Sequence, residues 1–172
     1  MGTGMGAVRE GEAAVQILRR LLGAGFPAQH ALRSLNSLCA LRDRAGAVTV
    51  DLAEICLDNG RVTLYKWGAA DMHFFHWAPS YFLTREGAER VGQPGPPPGF
   101  AVEGYREETE QFSLKRGQYL ILASDGVDST EALACCRANK EESVAELATR
   151  ILHSGQTDSA DATLAIIRLN AS

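Results

Sequence analysis

The sequence predicts an α+β fold, with helices packed on a largely antiparallel sheet or sandwich. Three observations carry this. Two stretches with apolar residues at helical spacing open the chain, a run of short strand-like segments separated by turn residues fills its middle, and one further helix precedes a closing apolar strand. No long βαβ alternation is present. At 172 residues, 45% hydrophobic and 22% charged, the chain is the size of one domain with a single buried core. Residues 1–172 therefore read as one domain.

The elements follow in order. Glycines 2, 4, 6 and 11 make the first segment loop-like, and from Arg9 to Leu22 the positions Ala14, Ile17, Leu18, Leu21 and Leu22 mark one helical stripe. Gly23 and Gly25 stop it, as glycine does at a helix C-terminus. Pro27 suits the first turn of a second helix, which carries Ala31, Leu32, Leu35, Leu38 and Cys39 and ends near Arg42.

Strand signals then take over. Val48, Val50, Leu52, Ile55 and Leu57 precede Asn59-Gly60, a strong short hairpin signal, and the return strand runs from Arg61 to Trp67. HFFHWAPSYFLTR reads as a second hairpin turning near Ala78-Pro79-Ser80. Gly92 to Phe100 (GQPGPPPGF) is a stiff loop, because proline fixes φ and cannot complete a ladder. Its other reading is a PxxP ligand for a partner domain. Tyr105 to Leu114 resumes strand, Lys115-Arg116-Gly117 turns, and Tyr119 to Ala123 is a continuous apolar strand buried on both faces. A helix spans Ser143 to His153, and Ala162 to Leu169 is the last strand.

Composition excludes some functions. A net charge of −4 with scattered basic residues argues against a nucleic-acid or anionic-membrane surface. No apolar run reaches the roughly 18–20 residues of a membrane span, and Glu10 and Glu12 stand where a signal peptide needs an apolar core. The four cysteines show no C-x-x-C pair and no histidine at zinc spacing. Cys135 and Cys136 read either as a redox pair or as reduced thiols of a cytoplasmic protein.

The strongest chemical signal is LILASDGVDST. An aspartate directly after a buried strand sits at a rigid edge, and the following glycine permits close approach. Such a carboxylate suits a hard divalent cation. Asp158 and Asp161, in GQTDSADAT before the final strand, form a second acidic turn that could share a metal; ordinary turn chemistry explains both segments as well. Other polar residues point elsewhere. Ser124 lacks a G-x-S-x-G elbow. His73 and His76 fall on opposite strand faces. His30 and His153 read as ordinary helix residues, and Asp51 as a hydrogen-bonded structural carboxylate. Met1-Gly2-Thr3-Gly4 has no phosphate-loop lysine.

Taken in order, these pieces resemble the stage II sporulation protein E-like phosphatase domain of the metal-dependent (type 2C, PPM) serine/threonine phosphatases. MGTG resembles the end of that family's Asp-Gly-Met-Gly-x-Gly segment, and ALRSLNSLCALR its second helix. VTVDLAEICLDNGRVTLYKWGAA resembles its Thr-x-Asp-Leu strand and the hairpin ending Gly-Ala-Ala. PPPGF resembles its Pro-x-Gly loop, and LKRGQYLILASDG its Leu-x-x-Gly-Asp-x-Leu-Ile-x-x-Ser-Asp-Gly.

The resemblance implies a PPM-type β-sandwich flanked by helices in αββα layers. It implies Mn²⁺ or Mg²⁺ as cofactor and hydrolysis of phosphoserine or phosphothreonine by a metal-activated water. The substrate would be a phosphoprotein regulator of the anti-sigma-factor antagonist type, and a dimer is compatible with it. Asp125 is the implied catalytic metal ligand, with Gly126 beside it. The family's terminal Asp-Asp/Asn-x-Thr falls on Ala160-Asp161-Ala162-Thr163, so Asp161, displaced by one residue, or Asp158 would supply the second acid. The family's Asp-Gly would stand directly before Met1, and an earlier strand with another aspartate before that. The expectation is accordingly an N-terminally truncated domain that binds Mn²⁺ weakly. The alternative is a catalytically degenerate phosphatase-like domain acting as a protein-binding or regulatory module.

Overall fold

The computed structural model describes residues 5–41, 48–67, 72–77, 82–83, 89–91, 98–99, 109–115, 118–124, 126–139, 142–155 and 162–169. Its elements are α1 (Met5–Gly23), α2 (Ala28–Ala40), β1 (Val50–Ile55), β2 (Arg61–Trp67), β3 (Met72–Trp77), β4 (Phe82–Leu83), β5 (Glu89–Val91), β6 (Thr109–Ser113), β7 (Gln118–Ala123), α3 (Ser129–Ala138), α4 (Val144–Gly155) and β8 (Leu164–Arg168). The fold is α+β, and its two antiparallel sheets are open. One has the order β1-β2-β6; the other runs β4-β3-β7-β8, with β5 also paired to β3. By contact the chain divides into two compact units, one of Met1–Glu54, Leu64–Ala69 and Gln93–Thr109, the other of Ile55–Thr63, Ala70–Gly92 and Glu110–Ser172.

In the first unit the predicted helix pair forms. α1 ends in a Schellman motif: the Phe26 N–H donates to the Leu21 carbonyl (3.1 Å) and the Gly25 N–H to the Leu22 carbonyl (3.0 Å). Gly25 takes φ 85°, so it is the glycine that stops the helix. Pro27 then caps α2 from outside, with extended ψ. The stripes meet a sheet face: Ala14, Leu18, Ala31, Leu32, Leu35 and Cys39 pack with Val50, Tyr65 and Trp67. Each fully buried leucine there contributes about 1.5–3 kcal/mol. Strand alternation sends Leu64 and Lys66 to the face opposite Tyr65 and Trp67, and both are buried too. Pro98-Gly99, at the end of the predicted stiff loop, is seated on α2. The Gly99 N–H donates to Asn36 Oδ1 at 2.7 Å. A Cβ on Gly99, at φ +93°, would lie 3.0 Å from Cys39 Cβ.

In the second unit β7 is central and buried on both faces, as its unbroken apolar run predicts: Tyr119, Leu120 and Ile121 are all at most 5% exposed. Its neighbours β3 and β8 run antiparallel, with His73 opposite Ile121 and Ile121 opposite Ile166. Tyr119 and Ile121 pack against Val127, Ala132, Cys135, Cys136, Leu147 and Ile151, so α3 and α4 cover this sheet. α4 begins with a reciprocal capping box, in which the Glu146 carboxylate accepts from the Ser143 N–H (3.0 Å) and the Ser143 hydroxyl from the Glu146 N–H (3.3 Å). The described part of the predicted Tyr105–Leu114 strand is Thr109–Ser113, and α1 begins at Met5, earlier than its apolar stripe.

The Asn59-Gly60 hairpin forms, but with a longer loop than a two-residue turn. The Cys56 N–H donates to the Arg61 carbonyl and the Gly60 N–H to the Cys56 carbonyl, both at 2.8 Å, leaving residues 57–60 as the loop. Gly60 is at φ +68°, and the Leu114 N–H donates to its carbonyl at 2.8 Å. A Cβ there would lie 2.3 Å from the Leu114 oxygen and 2.9 Å from Leu169 Cδ1. Gly60→Ala is therefore expected to lower stability by about 2–4 kcal/mol, combining left-handed backbone strain with a steric clash. Equilibrium urea unfolding measures it, and a loss below about 0.5 kcal/mol would show that the loop can shift.

Candidate functional site

β7 ends and β8 begins side by side, at the positions in the sequence that adjoin the two acidic segments. Their register is regular from Tyr119↔Arg168 to Ala123↔Leu164. One step further the Ser124 N–H donates to the Thr163 carbonyl, and the Thr163 N–H donates to Ser124 Oγ, both at 2.9 Å. Asp125 is the next residue after Ser124, and Asp161 stands two before Thr163. Asp125, Asp158 and Asp161 themselves lie outside the described residues. Gly126 is described and buried. Among the described residues no group of three or more histidines, cysteines, aspartates or glutamates could hold a metal ion.

Beyond Gly126 the chain is tied down firmly. Val127 is 8% exposed and belongs to the α3/α4 core, and its N–H donates to the Ser124 carbonyl at 3.1 Å. Asp128 caps α3: its carboxylate accepts from the N–H groups of Thr130 (2.8 Å) and Glu131 (3.0 Å), and its own N–H donates to the Gly155 carbonyl at 2.7 Å. Asp128 is thus a helix cap, with the helix N-terminus as its counter-charge. Helix α3 is not expected from the sequence pattern. Its signal is Asp128-x-x-Glu131 followed by Ala132, Leu133, Cys135 and Cys136, hidden because the same residues read as turn chemistry and a thiol question.

The other polar candidates have structural roles. Asp51 forms an ion pair with Lys66 (Oδ1 to Nζ, 3.5 Å), the two side chains 14% and 1% exposed. Burial pushes the Asp51 carboxyl up to about 6, against the opposing pull of Lys66. His30 and His153 are exposed on their helices, and His153 Nδ1 lies 2.7 Å from the Thr149 carbonyl. The four cysteines are free thiols, with Cys135 and Cys136 buried in the α3 face. Burial, with Cys135 adding to it, raises the Cys136 thiol to about 12, far from a reactive thiolate. A hollow of about 510 Å³ in the first unit, between Leu22, Phe26, Pro27 and Leu52, is lined also by Glu54, whose carboxylate accepts from the Tyr65 hydroxyl at 3.3 Å.

Two open antiparallel sheets, each with its own helices, make the architecture of a PP2C-type phosphatase domain. The chain matches the PP2C phosphatase domain of SpoIIE from Bacillus subtilis, solved with a fragment of its regulatory domain, with a TM-score of 0.72 and 24% identity. That match covers 98% of this chain and 52% of the other. RsbX, solved in complex with magnesium, gives a TM-score of 0.72 at 14% identity, covering 96% and 75%. The family model of Stage II sporulation protein E (SpoIIE) matches residues 1–170, and the chain belongs to that family. The Stage II sporulation protein E of Priestia megaterium is 28% identical over 128 residues, 74% of this chain. The chain spans 20% of that relative's length and about half of the B. subtilis chain.

Proposed function

We propose that this chain is a phosphatase-like domain, residues 1–172, of a metal-dependent protein serine/threonine phosphatase. Its substrate class would be a phosphoserine- or phosphothreonine-bearing regulator of the anti-sigma-factor antagonist type. Asp125 is the principal metal-ligating carboxylate, Asp161 and Asp158 are the acids from the facing segment, and Gly126 keeps the approach open. The observation that carries this reading is the pair of hydrogen bonds between Ser124 and Thr163. An extended chain advances about 3.3–3.6 Å per residue, so an acid one residue beyond Ser124 and another two before Thr163 are within range of a shared hard cation.

The donor set fits Mn²⁺ or Mg²⁺, which take carboxylate oxygens and keep waters. When bound, such a cation supplies Lewis-acid activation of water and neutralises charge on phosphoryl oxygens. The chain's own part is to hold the carboxylates rigidly. The described flanks of the acidic segments are fixed by the β7–β8 ladder on one side and the buried Val127 on the other. Membership of the SpoIIE family and the fold shared with RsbX, which was solved with magnesium, support the reading. Among the described residues no helix is long and apolar enough to cross a membrane. A cytoplasmic site of action is part of the proposal.

Titration of the full-length protein with Mn²⁺ by calorimetry tests it. Asp125→Ala is expected to weaken binding by roughly tenfold or more, and Asp161→Ala by less. Asp128→Ala should leave affinity unchanged while costing about 1 kcal/mol of stability as a lost cap. Wild-type affinity in Asp125→Ala would contradict the assignment.

A further inference from the structure

We propose that Ser124 is a positioning residue of this site: its hydroxyl replaces its own carbonyl in the β7–β8 ladder, and that exchange sets the turn carrying Asp125 against the lead into β8. The proposal rests on the metal-site reading above, and its geometry involves described residues only. In a hydrogen-bonded antiparallel pair the two residues exchange both N–H···O bonds through their main chains. The register continues so that Ser124 faces Thr163, and the first bond is regular, Ser124 N–H to Thr163 carbonyl at 2.9 Å. The second is not. The Thr163 N–H donates to the Ser124 hydroxyl oxygen at 2.9 Å, while the Ser124 carbonyl accepts from the Val127 N–H at 3.1 Å.

One residue thereby does two jobs that a strand residue with an apolar side chain cannot do together. Its carbonyl closes the i to i+3 hydrogen bond of a turn with the Val127 N–H, and its side chain keeps the neighbouring strand's N–H satisfied. Short hydroxyl side chains are suited to such local competition with the main-chain ladder. The far side of the turn is held by buried Val127 and by the Asp128 N–H on the Gly155 carbonyl. Loss of the hydroxyl leaves two outcomes. Either the carbonyl stays in the turn and the Thr163 N–H loses this acceptor, or the carbonyl returns to the ladder and the turn opens. Both change the spacing between the strand end before Asp125 and the segment after Asp161.

The test uses the full-length protein with Ser124→Thr, which keeps the hydroxyl, Ser124→Val, its near-isostere without one, and Asp125→Asn. Hydrogen exchange by mass spectrometry across residues 160–169 reads the ladder, and Mn²⁺ titration reads the site. Ser124→Val is expected to speed exchange at the start of β8 by about tenfold, the value of one hydrogen bond, and to weaken Mn²⁺ binding by a similar factor. Ser124→Thr should stay within about twofold of wild type in both, since the donor–acceptor pair is retained. Equal exchange and Mn²⁺ affinity for the valine and threonine variants would overturn the proposal. So would faster exchange in the valine variant with unchanged Mn²⁺ affinity, when Asp125→Asn loses binding; the metal reading would then stand without Ser124. Unchanged Mn²⁺ affinity in Asp125→Asn would overturn the metal reading itself and with it the role assigned to Ser124.

Discussion

Asp51→Ala is expected to lower the unfolding free energy at pH 7 by about 3–5 kcal/mol, the usual cost of removing one partner from a buried ion pair. Asp51 on β1 and Lys66 on β2 are 14% and 1% exposed at the side chain and face each other at 3.5 Å. Truncating the acid leaves a buried ammonium without this carboxylate. The paired change Asp51→Leu with Lys66→Met should recover most of the loss, because apolar replacement of a whole buried pair is often neutral or stabilising. Equilibrium denaturation of the three variants measures this. A single-variant loss below about 1 kcal/mol would mean that solvent or other groups already support Lys66.

The same residue gives a signed pH dependence. The Asp51 carboxyl is raised from 3.8 to about 6, burial outweighing the opposing attraction of Lys66. Between those values the folded state holds a proton that the unfolded state has lost, so the contribution of Asp51 to stability falls as pH rises from about 4 to 6. This proton-linked part is fully present below 3.8 and gone above 6, while the cost of truncating the acid beside buried Lys66 remains. Wild type should accordingly gain stability relative to Asp51→Asn as pH falls through that window; an unchanged difference would show that Asp51 titrates normally.

Elements defined by their own residues were readable in the sequence. Gly25 at the end of α1 and the unbroken apolar run of β7 state their roles locally, through left-handed φ and through burial on both faces. The Asn59-Gly60 signal located the hairpin but not its loop, because the loop length depends on Leu114, which binds the Gly60 carbonyl from far along the chain. The three-residue β5 exists through its pairing with β3 and has no pattern of its own. Helix α3 was hidden by residues that serve equally as turn formers and as caps. For the candidate site, Ser-Asp-Gly after a buried strand is a local pattern that singles out Asp125, while Asp125, Asp158 and Asp161 themselves lie outside the described residues. The part of Ser124 was not readable, because its partner Thr163 is 39 residues away and only the β7–β8 register brings them together. Asp51 reads in the sequence as a hydrogen-bonded structural carboxylate and is found ion-paired to Lys66, which did not stand out: a lysine in a strand looks solvent-facing until the second buried face of β2 is known.

Phosphate release tests whether Asp125 anchors a metal-dependent phosphatase site. The full-length protein, wild type and Asp125→Asn, would be assayed on a phosphoserine-bearing protein with Mn²⁺ or Mg²⁺ and again with chelator, after thermal unfolding shows that both are folded. Turnover by the wild type is expected to vanish with chelator and to fall roughly 100-fold or more in Asp125→Asn, because a lost carboxylate removes both metal affinity and the activation the metal provides. Equal turnover by the two proteins would contradict it. A folded wild type with no metal-dependent turnover would also do so, and would leave a degenerate binding module, with Ala160 in place of the expected acid, as the description of this domain.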